Sequence, residues 1–286
     1  MTTAKTFWRT ALFALPLLAA APALAQDTGS EEEGWPDDRN SLTIGLGGAY
    51  VPSYEGSDDY MLTPIGLAFG KVAGFGFATR GTALYVDLIP DQPDAPLAFD
   101  FGPLANVRLD RTNRIKDPRV RALGELDTAI ELGAWAGLRK NGVLHKYDSI
   151  GVRLAWQKDV TDTHDSTIIT PAIEYSSPLS PRTLASFSLQ ADHVGDGYAR
   201  TYYSIGAAGA VASGLAAYTA DGGWKSWRAT LLLGQSITGD LRHPKLSLFG
   251  GVGYSRLLGD IARSPIVRVA GDRDQYFATL GLAYSF

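Results

Sequence analysis

The end of the chain constrains the fold more than any other part of it. From Gln275 to Phe286 the residues alternate: Tyr276, Ala278, Leu280, Leu282, Tyr284 and Phe286 share one parity, and Phe277, Thr279, Gly281, Ala283 and Ser285 share the other. A period of two puts these sets on opposite faces of a β-strand. One face is oily with aromatic ends; the other is mostly small or weakly polar. Such a strand suits the wall of a transmembrane barrel, where one side meets hydrocarbon and the other a lumen. Tyr284 and Phe286 also read as a C-terminal assembly signal for the barrel-assembly machinery. A soluble domain can end on a similar strand, so the start of the chain has to decide between the two.

Met1 to Ala25 reads as a signal peptide: Lys5 and Arg9, then an apolar run from Ala11 to Ala21, then the small-x-small site Ala23-Leu24-Ala25 before Gln26. The apolar run is short for a retained anchor. Without Lys5 and Arg9 the 26 basic residues become 24 against 30 acidic, so the formal charge of −4 becomes −6. That balance gives no support for nucleic-acid binding. There is no cysteine, hence no disulfide framework and no thiolate chemistry. Gln26 to Asn40, with Glu31-Glu32-Glu33, reads as a disordered acidic periplasmic lead-in, or alternatively as a docking tail. Residues 41–286 read as one barrel domain. Beyond the signal no apolar stretch reaches the roughly 18 residues of a membrane helix. The nearest, Ile205 to Tyr218, is rich in Gly and Ala and reads as a loop with a short helix. A mean hydropathy of −0.04 is no objection to a barrel, because half of its wall faces inward.

Alternation recurs along the chain. Leu42, Ile44, Leu46 and Tyr50 share a parity, as do Met61, Ile65, Leu67 and Phe69; Phe75 and Phe77 mark a short strand, and Thr82 to Leu88 a weaker one. Leu97, Phe99, Phe101, Ala105, Val107 and Leu109 oppose Asp100, Asn106, Arg108 and Asp110. A helix would scatter these residues around its circumference. The same opposition sets Ile130, Leu132 and Leu138 against Glu131 and Arg139, and Ile150, Val152, Leu154 and Trp156 against Arg153 and Gln157. It sets Ile169, Ile173 and Tyr175 against Thr170 and Glu174, Phe187 and Leu189 against Ser186 and Ser188, and Trp227, Leu231 and Leu233 against Arg228 and Thr230. Leu248, Val252 and Tyr254 complete the pattern before the last strand.

The fold class this predicts is an all-β, antiparallel outer-membrane barrel of about twelve strands, both termini periplasmic. Ten strands remain open, because the connection at Gly81 would be very tight for an outside loop. Connections 71–74, 140–144, 177–182 and 238–242 are mostly short; 51–59, 111–127, 193–224 and 258–273 are mostly longer. Asp100, Arg108, Glu131, Arg139, Arg153, Glu174 and Arg228 then face the lumen, either cross-linking it by salt bridges or lining a narrow polar pore.

The residues offer little for catalysis. Of the four histidines, His164 (in His164-Asp165-Ser166) and His193 lie at outer strand ends. Neighbours on a strand point to opposite faces, so neither segment makes a triad by itself. Without cysteine or paired histidine spacing no metal site is expected, and Gly45-Leu46-Gly47-Gly48 has no helix after it to form a phosphate loop. The expectation is a non-enzyme without cofactor.

The first hairpin, Gly45-Leu-Gly-Gly-Ala-Tyr50-Val-Pro52-Ser-Tyr54-Glu-Gly56-Ser57-Asp58-Asp-Tyr60, resembles the N-terminal signature of the MipA/OmpV family of MltA-interacting outer-membrane proteins. Arg80-Gly81, Leu123-Gly124-Glu-Leu-Asp127 with Glu131-Leu-Gly133, Arg200 to Ile205, Ala212-Ser-Gly214-Leu215 with Tyr218, Tyr254-Ser-Arg256-Leu257-Leu-Gly259-Asp260 and Ser264-Pro265-Ile266-Val267 follow in the family's order. The resemblance covers nearly the whole mature chain. It implies an outer-membrane β-barrel and, for the namesake, a scaffold holding a lytic murein transglycosylase near a murein synthase. Other members look like adhesins, stress-linked proteins or small-solute channels. The partners implied are outer-membrane lipid and these murein enzymes. Physically, Pro52, Gly56 and Ser57-Asp58-Asp59 are turn formers, Tyr54 and Tyr60 suit an interface anchor, and Ser264-Pro265 a loop fixture.

Overall fold

A computed structural model describes residues 40–90 and 95–286. The expected signal peptide, and the lead-in up to Arg39, lie outside the described residues. The strands are β1 (Ser41–Pro52), β2 (Tyr60–Val72), β3 (Phe75–Arg80), β4 (Ala83–Asp87), β5 (Leu97–Arg108) and β6 (Ala129–Asn141). β7 (Ser149–Asp159), β8 (Thr167–Ser180), β9 (Thr183–Val194), β10 (Gly223–Ser236), β11 (Leu246–Leu257) and β12 (Asp274–Ser285) follow. Each pairs antiparallel with its chain neighbours, and β12 returns to β1 from Thr43↔Ser285 to Tyr50↔Ala278, closing the barrel. Closure matters because lipid offers no partner for a free strand edge. Among the described residues no helix is long and apolar enough to cross a membrane; the strands do so.

The tight Gly81 connection does not reduce the count to ten. β3 and β4 are simply short, and a turn with Gly81 at φ +62° joins them below the outer ends of the longer strands. Short turns lie at the end where β1 begins and β12 finishes, and folded segments at the other, so the former is the periplasmic end. Near the outer end the rings of Trp227, Tyr254 and Tyr276 contact in series, and the Tyr60 hydroxyl accepts from the Tyr276 N–H while its ring stacks on Tyr50 at 5.2 Å. This is an aromatic girdle at a membrane interface.

The outward rows are those the alternation marks, with one correction. On β2 it is Leu62, Pro64 and Gly66 that face out, while Met61, Ile65 and Leu67 face in with Phe69. Both faces of this strand are apolar, so periodicity alone does not orient it. Its register on β1 does, since Ala49↔Thr63 and Thr43↔Phe69 pair it with residues buried on the inner face. The lumen is accordingly two-sided. Leu67, Phe249 and Phe277 form an apolar sector pressed on small residues; the Phe277 ring comes within 1.9 Å of where a Cβ on Gly253 would stand, so a larger residue there would have to displace the ring. The charged side chains fill the sector made by β3 to β10.

Candidate functional site

Two regions of the interior are built for a purpose: a cap over the outer mouth and a charged cavity behind the periplasmic one.

The cap consists of the outside connections. The β5–β6 connection carries α1 (Pro118–Arg121); β9–β10 carries α2 (Asp196–Tyr203) and α3 (Ala207–Ser213); β11–β12 carries α4 (Gly259–Arg263) and α5 (Pro265–Arg268). The stretch expected to be a loop with a short helix, Ile205 to Tyr218, holds α3, and its ends pair as an isolated bridge. These segments share two apolar cores. One joins Ile168, Val194, Tyr198, Tyr202, Tyr203, Leu257, Ile261 and Val267; the other joins Tyr54, Ile115, Val120, Ile205, Leu215 and Ile266. All are nearly or fully buried. Aromatic burial on this scale dominates packing energetics, so the cap is a folded layer rather than a set of loose loops.

The signature residues are the fasteners of this cap. Pro52 ends β1. Tyr54 does not anchor at the interface; it turns into the cap core, 2 % exposed, and its hydroxyl donates to the Ala270 carbonyl at 2.5 Å. Gly56 has φ +102°, and a Cβ there would stand 2.8 Å from Val267, so both conformation and space require glycine. Ser57 is fully buried and Asp58 exposed. Ser264 is buried, caps α5 ahead of Pro265, and donates to the Tyr203 carbonyl at 2.6 Å. Gly133 lies flush on β7, where a Cβ would meet the Trp156 carbonyl. Tyr254 lies in the girdle, its hydroxyl on Asp274. Tyr284 and Phe286 make an edge contact at the periplasmic end, with Phe286 exposed.

Beneath the cap runs a chain of charges. Glu131, with no exposed surface, accepts from Arg108 Nε at 2.6 Å, Asn106 and Gln157 at 2.7 Å each, and is 3.1 Å from His164 Nε2. Arg108 donates on to the Tyr198 hydroxyl, which donates to Glu55 at 3.0 Å; Tyr203 donates to the same oxygen at 2.9 Å. Lys225 closes the network on Glu55 at 2.6 Å and Asp192 at 3.4 Å. Burial by itself would raise the Glu55 pKa, but Lys225 and then Arg108 outweigh it and hold the carboxyl at about 2. Asp110 behaves oppositely. Burial and the neighbouring Glu55 charge push it up to about 6, and its Oδ2 is buried with no hydrogen-bond partner. The Glu55 N–H donates to its Oδ1 at 2.7 Å.

The second region is a cavity of about 590 Å³ in the periplasmic half of the lumen. Glu174 accepts from both Arg80, at 2.8 and 3.0 Å, and Arg153, at 3.0 Å; Arg153 also donates to the Tyr85 hydroxyl. Arg139 bonds Asp100 at 3.4 Å. Six of the seven expected lumen charges therefore sit in inward-facing ion pairs; Arg228 has its Nε buried without a partner. Arg80, Glu55 and Lys225 complete these networks; Arg80 and Glu55 lie in the family-like segments, but the sequence marks none of the three as a lumen charge. The signal available was Arg80's place before Gly81; nothing local marks Glu55 as an inward group.

His164 and His193 are far apart in kind. His164 is buried among Tyr198, Tyr202 and Glu131, whereas His193 packs edge-on against Trp224 at 5.3 Å. No cluster of metal-ligating side chains occurs among the described residues.

Solved structures of similar shape are outer-membrane barrels. The NanC porin has 8 % identity and a TM-score of 0.41, covering 85 % of this chain and 98 % of that one. The COG4313 outer membrane channel from Pseudomonas putida F1 has 12 % identity and a TM-score of 0.42, covering 89 % and 100 %. A Pseudomonas aeruginosa FadL homologue has 9 % identity and a TM-score of 0.31, covering 86 % and 89 %. No curated protein matches the chain. The sequence profile described as "MltA-interacting protein MipA" matches residues 44–286, from the first strand to the last residue, and the chain therefore belongs to the MipA family of outer-membrane barrels.

Proposed function

We propose that this protein is a non-enzymatic, non-conducting outer-membrane scaffold for murein-remodelling proteins, a lytic transglycosylase and a murein synthase. The carrying observation is the cap: its two buried apolar cores and the Glu55–Lys225 network seal the outer mouth. A tube sealed in this way is suited to holding things at its periplasmic rim, and the family description names a murein enzyme as partner. The periplasmic turns offer exposed apolar side chains for such contact, Leu144 at 79 % and Leu179 at 64 %. The acidic lead-in expected after a cleaved signal peptide, with Glu31-Glu32-Glu33, would add negative charge for such a partner to meet. Pull-down of the refolded, lipid-embedded protein with both enzymes tests this: both are expected to be retained, and loss of both from a folded barrel would remove the reading.

The alternative is a small-solute channel or adhesin-type barrel. The cavity of about 590 Å³ favours the channel version. A planar bilayer is expected to stay silent; steady conductance steps would favour the channel.

A further inference from the structure

The wall has a window. β2 pairs with β1 along its whole length up to Pro52↔Tyr60, but with β3 only from Phe69↔Ala78 downward. One more contact, Ala68 N–H to Thr79 Oγ1, closes the seam. Above it the short β3–β4 hairpin has ended, and β5 has no β4 partner beyond Ala83↔Asn106 and the Val107 N–H to Thr82 carbonyl bond. The opening is roofed by Glu55 N–H on Asp110 and by Lys116 Nζ on the Tyr60 carbonyl at 2.5 Å. Its sill is the Arg80-Gly81-Thr82 turn, about 14 Å across if three strand spacings are counted.

Alternate residues of an antiparallel strand direct their backbone groups to one neighbour. Tyr60 and Ala68 point theirs toward the window, so Leu62, Pro64 and Gly66 do the same and meet no strand there. Pro64 has no N–H to leave unpaired, the residue type a sheet edge tolerates. The edge lies just below the Tyr50–Tyr60 stack of the girdle, and Leu62 is 72 % exposed. The window thus faces the hydrocarbon of the outer leaflet, where free backbone groups need a polar partner.

Behind the sill lies the cavity. Arg80 belongs to both, with its side chain 45 % exposed. Two guanidiniums, Arg80 and Arg153, converge on the single carboxylate of Glu174, an excess of one positive charge in that cluster; Asp87, another carboxylate of the cavity wall, accepts from the Ile89 and Phe101 N–H groups instead. Phe69, 47 % exposed and facing inward, offers an apolar surface beside them. We propose that the window admits a single-chain amphiphile with an anionic head from the outer leaflet, head to Arg80 and tail along Phe69. This goes beyond the scaffold reading and does not depend on it, since the cap stays shut.

The absence of cysteine makes the test clean. Ser186 lines the cavity on β9, away from the window, so Ser186→Cys carrying a bimane reports entry. In proteoliposomes, stearate bearing a nitroxide is expected to quench it saturably, while a two-chain phospholipid with the same nitroxide does not. Arg80→Gln is expected to weaken the quenching about tenfold, as loss of a charge-assisted contact does. Gly66→Trp, placed where an added Cβ has nothing nearer than 3.9 Å, is expected to slow it by narrowing the window. Quenching equal for the phospholipid, or absent for stearate, overturns the proposal. So does an equal effect from a quaternary-ammonium amphiphile, or stearate entry at an unchanged rate in Gly66→Trp.

Discussion

The two mouths of this barrel are made of different matter. At the outer one, long connections fold into helices, bury tyrosines and lock charges together; at the periplasmic one, residues such as Gly142 and Gly239 turn the chain at positive φ, and none of the described turn residues there joins a buried apolar core. The first is a built layer with its own core, the second a rim left open to the cavity. The difference implies that perturbing the cap costs stability and seal, whereas perturbing the rim costs neither and alters only what binds there.

The strongest way to break the comparison is to remove the largest cap segment. Replacing residues 195–222, which carry α2 and α3, by a short Gly-Ser turn is expected to leave a folded barrel that conducts in planar bilayers. Continued silence would show that the lumen ion pairs close the tube unaided. Next in size is Tyr198→Ala, which empties the centre of one core and leaves Arg108 and Glu55 short of a partner. A loss of about 3–5 kcal/mol is expected, read as protease sensitivity confined to the cap.

Asp110 sharpens the comparison through pH. Its pKa in the folded protein is raised to about 6 from an ordinary 3.8. Its protonated form therefore contributes stability that is complete below about pH 4 and is lost as pH rises through about 6. Asp110→Asn retains the acceptor for the Glu55 N–H. It is expected to stabilise the cap by about 1–2 kcal/mol at pH 7.5, since water reaches part of the carboxyl, and by almost nothing at pH 4. Equal stabilisation at both pH values would show that the cost of ionising Asp110, from burial and then from the Glu55 charge, is not the cause.

Smaller still is a pair of adjacent hydroxyls. Tyr203 donates to Glu55, while the Tyr202 hydroxyl is buried without a partner. Tyr203→Phe is expected to cost about 1 kcal/mol and Tyr202→Phe close to nothing in thermal melts. At the rim, Leu144→Ser is expected to change stability by less than about 0.5 kcal/mol. Its retention of a lytic transglycosylase in pull-down should nevertheless fall.

Much of the wall was legible because a barrel strand repeats one rule. Leu97 to Leu109 shows hydrocarbon and water their own faces residue by residue, and the ion pairs of Glu131, Arg153 and Glu174 follow from the inward parity. β2 was the exception, since Met61-Ile65-Leu67 and Leu62 are alike in polarity and only its register on β1 orients it. The cap was not legible in this way. Its helices are short; Tyr54 and Ser57 look like turn residues until partners more than two hundred positions away are in view, and Ser264 until Tyr203 in the β9–β10 connection is.

The sequence by itself determined a closed antiparallel wall, its span, and which end holds the short turns, because alternation and turn chemistry act between near neighbours. Only the tertiary structure decided that the outer mouth is filled, that Glu55 reaches Lys225 and the tyrosines beneath it, and that the β3–β4 hairpin stops short of the rim. Those features depend on which loops meet across the barrel and on how far each strand climbs beside the next, and such distances are not written in any local pattern.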